Sequence, residues 1–361
     1  MSSLYIHIPF CLHICSYCDF AKVFYRHDWA DDYLDALLYE IKDKNLNDDF
    51  DTIYIGGGTP SSLTLRQLEK LLKMIAPLAK KVKEYSIEVN PESMNEEKLD
   101  LLKKYGINRL SIGVQTFHDP LLANIERFHT SKQAIELIKQ AKMRGFNDIN
   151  IDLIYGLPNQ TLEDIYEDIE IIQSLDLPHI SIYSLILEEN TILKNQNYQP
   201  LSEEEDAYWY DQINEKLKNI GFHHYEVSNY YKQKPSLHNL TYWHYQDYEG
   251  IGLSAHSLKE HYRYENTKSL SKYLRHDYLY EKTKLDKDDE LFEKIMMGLR
   301  LTEGICLEEI EKIYHIDLMK KYEAVIGKYT KLGMLEINNT FLRTTSLGMK
   351  YLNTILVDFL D

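Results

Sequence analysis

The sequence predicts an α/β protein: a partial (β/α)6 barrel followed by a mainly helical, winged-helix-like C-terminal domain. Three observations predict it. Six β-rich runs alternate with amphipathic stretches along the first half of the chain. Polar and glycine-rich motifs follow those runs one after another. Beyond Asp286 the pattern changes to helices around one short hairpin. Strand–helix repetition implies parallel strands with right-handed crossovers. A full eight-fold barrel is not evident.

Strands are expected at residues 4–8, 52–55, 84–89, 109–112, 150–154 and 180–185. Helices are expected at 33–44, 65–78, 95–105, 132–144 and 162–174. Apolar residues there recur at helical spacing, as in Leu65, Leu68, Leu71 and Leu72. After about Leu187, Ser202 caps a helix running to Leu217, with Glu205 three residues on. An aromatic and histidine-dense region covers 222–256. The C-terminal part reads as helices at 290–301, 307–314, 318–332 and 346–359, with a hairpin at 334–342 turning near Asn338 and Asn339. The expected divisions are 1–190, 191–285 and 286–361.

A chain of 361 residues accommodates about two domains or one large α/β barrel. Hydrophobic residues at 44% and charged residues at 27% exclude disorder as the main state. No apolar run approaches the roughly 20 residues of a membrane helix. The N-terminus lacks a basic region followed by an apolar core, so a cytoplasmic protein is expected. A net charge of −16 speaks against nucleic acid as a partner, since phosphate binding needs a basic surface. The acidic run Asp286, Asp288, Asp289, Glu290 argues the same for the winged part, leaving a lid or docking surface.

In parallel α/β sheets the functional face lies at the strand C-terminal ends. Cys11 follows the first run, Gly56–Gly58 the second, and Glu88 closes the third. Gln115 follows the fourth, Asp152 sits late in the fifth and Tyr183 late in the sixth. All of them fall on one expected rim.

The sharpest signal is Cys11-x-x-x-Cys15-x-x-Cys18. Thiolates are soft ligands suited to iron–sulfur clusters and zinc. Structural zinc takes four closed ligands, and no second Cys-x-x-Cys exists. A loop with offsets of four and three can wrap three corners of a cubane, leaving one iron open. Cys306 lies far along the chain and reads as a buried small hydrophobe. His7 and His13 are metal-ligand alternatives, with packing or solvent-facing roles the simpler reading.

This triad after a first strand resembles the radical S-adenosylmethionine (radical SAM) superfamily. The resemblance implies a [4Fe-4S] cluster on Cys11, Cys15 and Cys18, with S-adenosylmethionine chelating the open iron. YIHIPFC (5–11), GGGTPS (56–61), IEVNPE (87–92), SIGVQTF (111–117) and DLIYGLP (152–158) are similar to the coproporphyrinogen dehydrogenase-like branch, over essentially the whole chain. By that similarity Gly57, Gly58 and Thr59 let the backbone approach the methionine end of the cofactor. Tyr17 packs on the adenine, and Tyr5 covers the cluster. Glu88 accepts a hydrogen bond from a ribose hydroxyl or the amino group. Gln115, Arg127 and Asp152 are polar contacts, Arg127 offering charge to a carboxylate. The plainer readings are a strand-to-helix turn for the glycines and a surface salt bridge for Glu88.

Two departures separate the chain from the oxidases of that branch. They resemble CxxxCxxCxC, whereas Phe20 stands at the last position here, and only ten residues precede Cys11. The sequence instead resembles the heme chaperones of the branch, through His238-Asn239-Leu240-Thr241-Tyr242-Trp243. Heme is thus an expected ligand beside the cluster and S-adenosylmethionine. His238 is the expected iron ligand, and Tyr242 and Trp243 pack the macrocycle. The alternative is a structural corner that holds His238 by hydrogen bonds. His223, His224, His244 and His256 are rival ligands. Apo-hemoproteins are the implied recipients, at the cytoplasmic membrane face, and a homodimer is a further expectation. An oxygen-independent coproporphyrinogen III oxidase-like enzyme is the alternative function; a tRNA-modifying radical enzyme is third.

Overall fold

The computed structural model describes residues 2–46, 50–189 and 191–360. Six strands build the barrel wall: β1 (Ser3–Ile8), β2 (Thr52–Gly57), β3 (Glu84–Val89), β4 (Arg109–Gln115), β5 (Asp148–Tyr155) and β6 (His179–Ser184). They pair in chain order and all in parallel, which is the expected partial barrel. Covered on both faces, β4 is buried along its whole length.

Five helices form the main crossovers: α1 (His27–Asp43), α2 (Leu65–Ile75), α3 (Glu96–Lys104), α4 (Ser131–Met143) and α5 (Leu162–Ser174). Thr64, Thr130 and Thr161 each close a capping box, with Gln67, Gln133 and Asp164. Helix α1 begins at His27, earlier than expected, because its first turns are polar apart from Trp29 and the buried Ala30. Helix α2 ends at Ile75, where Pro77 converts the chain to a single tighter turn.

The Ser202–Glu205 capping box is present and opens α6 (Glu203–Asn219). Beyond it, β7 (His223–Glu226) and β8 (Asn229–Tyr231) extend the sheet, β8 pairing antiparallel with β6 and β7 antiparallel with β8. Helix α7 (Leu237–Trp243) carries the His-Asn-x-x-Tyr-Trp segment, and β9 (Glu249–Ile251) pairs parallel with the other side of β1. Among the described residues the sheet therefore has nine strands. At three residues, β9 is too short to leave a periodicity signal.

One apolar cluster fills the barrel as far as Tyr273, and a second spans Leu291 to Phe359. The second contains a three-stranded sheet, Ile305–Cys306 against Phe341–Thr344 against Leu335–Asn338, flanked by short helices as the winged-helix reading expects. Two helices expected as single pieces are broken. The 318–332 stretch breaks at Tyr322, whose ring packs on Phe359 at 5.0 Å. The last breaks at Tyr351. The acidic run at 286–290 is a helix N-terminus: Asp286 accepts from the amides of Asp288 and Asp289, where the helix dipole favours negative charge. The expected limit at residue 190 lies outside the described residues. No described helix is long and apolar enough to cross a membrane.

Candidate functional site

The cysteine loop leaves β1 at Pro9 and is pinned at both ends. Phe10–Cys11 pairs in parallel with Val23–Phe24. Within the loop the Cys18 amide donates to the Cys15 carbonyl (3.2 Å), and the Lys22 ammonium donates to the Cys18 carbonyl (2.5 Å). Cys11, Cys15 and Cys18 line one cleft of about 420 Å³ at the C-terminal rim of the strands. Tyr17, Gly57, Gly58, Thr59, Glu88, Gln115, Arg127 and Asp152 line it too. The rim read from strand order is thus a single cavity wall.

The glycines seat the loop. Gly57 has φ +116°, and a Cβ there would come within 2.7 Å of the His7 ring. A Cβ on Gly58 would lie 2.8 Å from the Pro9 backbone and 3.0 Å from Cys11 Sγ. Beside them the Thr59 hydroxyl sits 3.6 Å from Cys11 Sγ and accepts from Asn90 Nδ2 at 3.2 Å.

The opposite wall is acidic and buried. Glu88 accepts from the Gly57 amide (3.0 Å) and the Tyr54 hydroxyl (2.9 Å). Burial and the neighbouring Asp152 push its carboxyl up to about 7. Asp152 accepts from Ser111 Oγ (3.0 Å) and Asn150 Nδ2 (2.9 Å), and burial raises it also. Gln115 sits at φ +68° in a register shift of β4, a left-handed conformation unusual for a non-glycine residue. Arg127 is buried; it donates to Asn90 Oδ1 (3.0 Å) and the Gly113 carbonyl (2.5 Å), with Nη1 3.6 Å from Cys15 Sγ. Among the described residues its Nε has no partner.

The structure does not bring every expected residue to this cleft. Tyr5 lies deeper in the lumen, its hydroxyl 3.0 Å from His7 Nδ1 and its ring stacked on Tyr54. His7 Nε2 bonds to the Ala21 carbonyl (2.8 Å); His13, by contrast, does line the cleft, its ring stacked on Phe128. His238 is at the other end of the barrel. Its neighbours Thr52 and Glu84 are the first residues of β2 and β3. Its Nδ1 is 2.8 Å from the Thr52 hydroxyl and its Nε2 2.9 Å from the Tyr242 hydroxyl. The ring stacks on Tyr54, and burial pulls its pKa down to about 3. Trp243 buries its indole N–H with no partner among the described residues, with Arg300 5.8 Å from the ring. Among the rivals, His223 and His224 lie on β7, His224 stacked on Tyr230. His244 ends α7, and His256 starts a strand of a separate three-stranded sheet.

The sequence reading missed Tyr54 and Asn90. Strand parity carried a signal for Tyr54, because it shares a face of β2 with Thr52 and Gly56. Asn90 lies just past the strand, where no periodicity points.

The donor set fits a cluster. Burial holds the Cys11 thiol up at about 11 and also raises Cys18, so thiolates here call for a cationic partner. Among the described residues no three His, Cys, Asp or Glu side chains close on a single metal ion. A cubane takes one thiolate per iron and spreads its ligands, as a loop with these offsets does.

Comparison with known proteins agrees. Residues 5–172 match the radical SAM superfamily, and residues 285–351 match the HemN C-terminal domain. A Lactococcus lactis protein named heme chaperone HemW is 37% identical over 99% of this chain and 97% of its own length. A Bacillus subtilis protein of the same name is 37% identical over 100% of this chain and 99% of its own. The chain belongs to the HemW family. An Escherichia coli HemW is 32% identical over 99% of this chain and 98% of its own. The HemW-family fold is shared with coproporphyrinogen III oxidase (HemN) from Escherichia coli, at a TM-score of 0.88 and 24% identity, over 99% of this chain and 89% of that one. Membership of the radical SAM superfamily implies a [4Fe-4S] cluster and S-adenosylmethionine.

Proposed function

We propose that this protein is a heme chaperone that carries a [4Fe-4S] cluster with S-adenosylmethionine and delivers heme to apo-hemoproteins. The observation that carries the reading is full-length similarity, at 37% identity, to proteins named heme chaperone. Phe20 supports it over the oxidase alternative, for it stands exposed in the cleft wall where the oxidase motif has a fourth cysteine.

In this reading Cys11, Cys15 and Cys18 hold the cluster. When bound, the cluster and S-adenosylmethionine supply one-electron chemistry at the open iron. Arg127 offsets thiolate charge, Glu88 and Asp152 accept hydrogen bonds from cofactor hydroxyl or amino groups, and Tyr17 and Gln115 complete the wall. Residues 1–190 hold these cofactors, 191–285 supply the His238, Tyr242 and Trp243 segment, and 286–361 form a lid or docking unit. Heme coordination by His238 requires its Nε2 to release Tyr242, so capture of iron is coupled to local opening of α7. The recipients are hemoproteins at the cytoplasmic face of the membrane, and the working form is a cytoplasmic homodimer.

A heme titration of the anaerobically reconstituted protein, followed at the Soret band, tests the reading. Stoichiometric binding that weakens in His238→Ala is expected. Conversion of coproporphyrinogen to protoporphyrinogen by the same preparation would overturn the carrier reading.

A further inference from the structure

We infer that Tyr54 is a positioning residue that ties the His-Asn-x-x-Tyr-Trp segment on the barrel floor to the cofactor cleft on the rim. The inference rests on the reading that this cleft takes S-adenosylmethionine.

Tyr54 touches both ends of the lumen. Its ring stacks on His238, with centroids 5.2 Å apart and planes 20° from parallel. Its hydroxyl donates to Glu88 Oε1 at 2.9 Å, one of two hydrogen bonds on that carboxylate. Gly56 makes the contact sterically possible: a Cβ there would come within 2.7 Å of Glu88 Oε1 and 2.8 Å of the Tyr54 ring. Below, His238 is itself fixed at both nitrogens, by Thr52 and Tyr242. Anything that moves the His238 ring removes the surface on which Tyr54 rests, and Glu88 loses a donor that holds it toward the cleft. Binding at either end then changes affinity at the other by the same factor.

Glu88 also reports the coupling. The groups that face it are Asp152 from β5, Tyr5 from β1 and Tyr54 itself. Asp152 and burial favour its protonated form, whereas Tyr54 and the Gly57 amide favour the carboxylate. Loss of the Tyr54 hydroxyl therefore moves Glu88 further up. A ligand that needs the carboxylate then binds less well near neutral pH.

The test is S-adenosylmethionine binding by calorimetry to the cluster-reconstituted protein, in wild type, Tyr54→Phe, His238→Ala and the double variant. A three- to tenfold loss is expected for each single variant, with unchanged cluster absorbance. The double variant should be no weaker than the weaker single, as for two residues acting through one contact. The midpoint of the pH dependence should rise in Tyr54→Phe. In parallel, a carbon-13 titration of Glu88 in the cofactor-free protein should show its midpoint higher in Tyr54→Phe. His238→Gln serves where His238→Ala does not fold. If wild type binds but the variants bind equally well, or their losses multiply, the coupling is overturned. If wild type does not bind at all, the reading of the cleft falls, and the Glu88 titration still decides the role of Tyr54: an unmoved midpoint rejects it.

Discussion

Arg127 Nη1 stands 3.6 Å from Cys15 Sγ, and the same guanidinium is held by Asn90 and the Gly113 carbonyl. A buried positive charge at that distance stabilises whichever cluster state carries more negative charge. At an effective dielectric near 20 and a separation of several ångströms the interaction is on the order of 2 kcal/mol. Arg127→Gln is therefore expected to lower the midpoint potential of the proposed cluster by tens of millivolts. Redox titration followed by electron paramagnetic resonance measures it. An unchanged or raised potential would discard this role.

The Arg127 contact was half legible. The sequence placed Arg127 among cofactor contacts by resemblance, as charge for a carboxylate, but its bonds to Asn90 and the Gly113 carbonyl and its approach to Cys15 carried no sequence signal. Its Nη atoms are already engaged, and among the described residues Nε has no partner. The barrel itself was readable, because each strand is a short run rich in apolar and β-branched or aromatic residues, the crossover helices carry amphipathic stripes, and three of the five open on a threonine cap. The rim was readable for the same reason: parallel topology sends every strand end to one side. The place of His238 was not. Helix α7 is seven residues long, and it lies under the barrel because Glu84, at the start of β3, binds its N-terminus across 154 positions of sequence. No local pattern encodes a contact of that range.

Glu84 accepts from Ser236 Oγ, the Leu237 amide and the His238 amide. These amides have no intrahelical partner, and a buried carboxylate at a helix N-terminus is favoured by the dipole. Glu84→Ala strands them in a dry site. A loss of about 2–4 kcal/mol in stability is expected, read by urea denaturation of the cofactor-free protein. A change under about 0.5 kcal/mol would mean that water replaces the carboxylate.

Gly58 is expected to tolerate no side chain. Its missing Cβ is filled on one side by the Pro9 backbone and on the other by Cys11 Sγ, and neither is the end of a flexible chain. Gly58→Ala should displace the cysteine loop and lower iron per chain at least twofold after reconstitution, while the far-ultraviolet spectrum stays native. Full iron content in the variant would show that the loop shifts freely.

The buried His238 predicts a specific pH dependence. Its pKa is about 3 in the folded chain, against the ordinary 6.5 when exposed. Between those values the unfolded chain binds a proton at this ring and the folded chain does not. Acidification therefore favours unfolding, and the contribution of the neutral ring is lost progressively as pH falls below about 6.5. From pH 7 to pH 5 the shift amounts to about 2 kcal/mol. His238→Gln removes the titrating group while leaving a polar side chain opposite Thr52 and Tyr242. Other titrating groups contribute equally to both proteins, so the wild-type stability should fall about 2 kcal/mol further than that of the variant over this interval. Urea denaturation of both cofactor-free proteins at the two pH values gives the difference. Parallel pH profiles would mean that the ring already takes a proton in the native state, and so does not sit sealed between Thr52, Tyr54 and Tyr242.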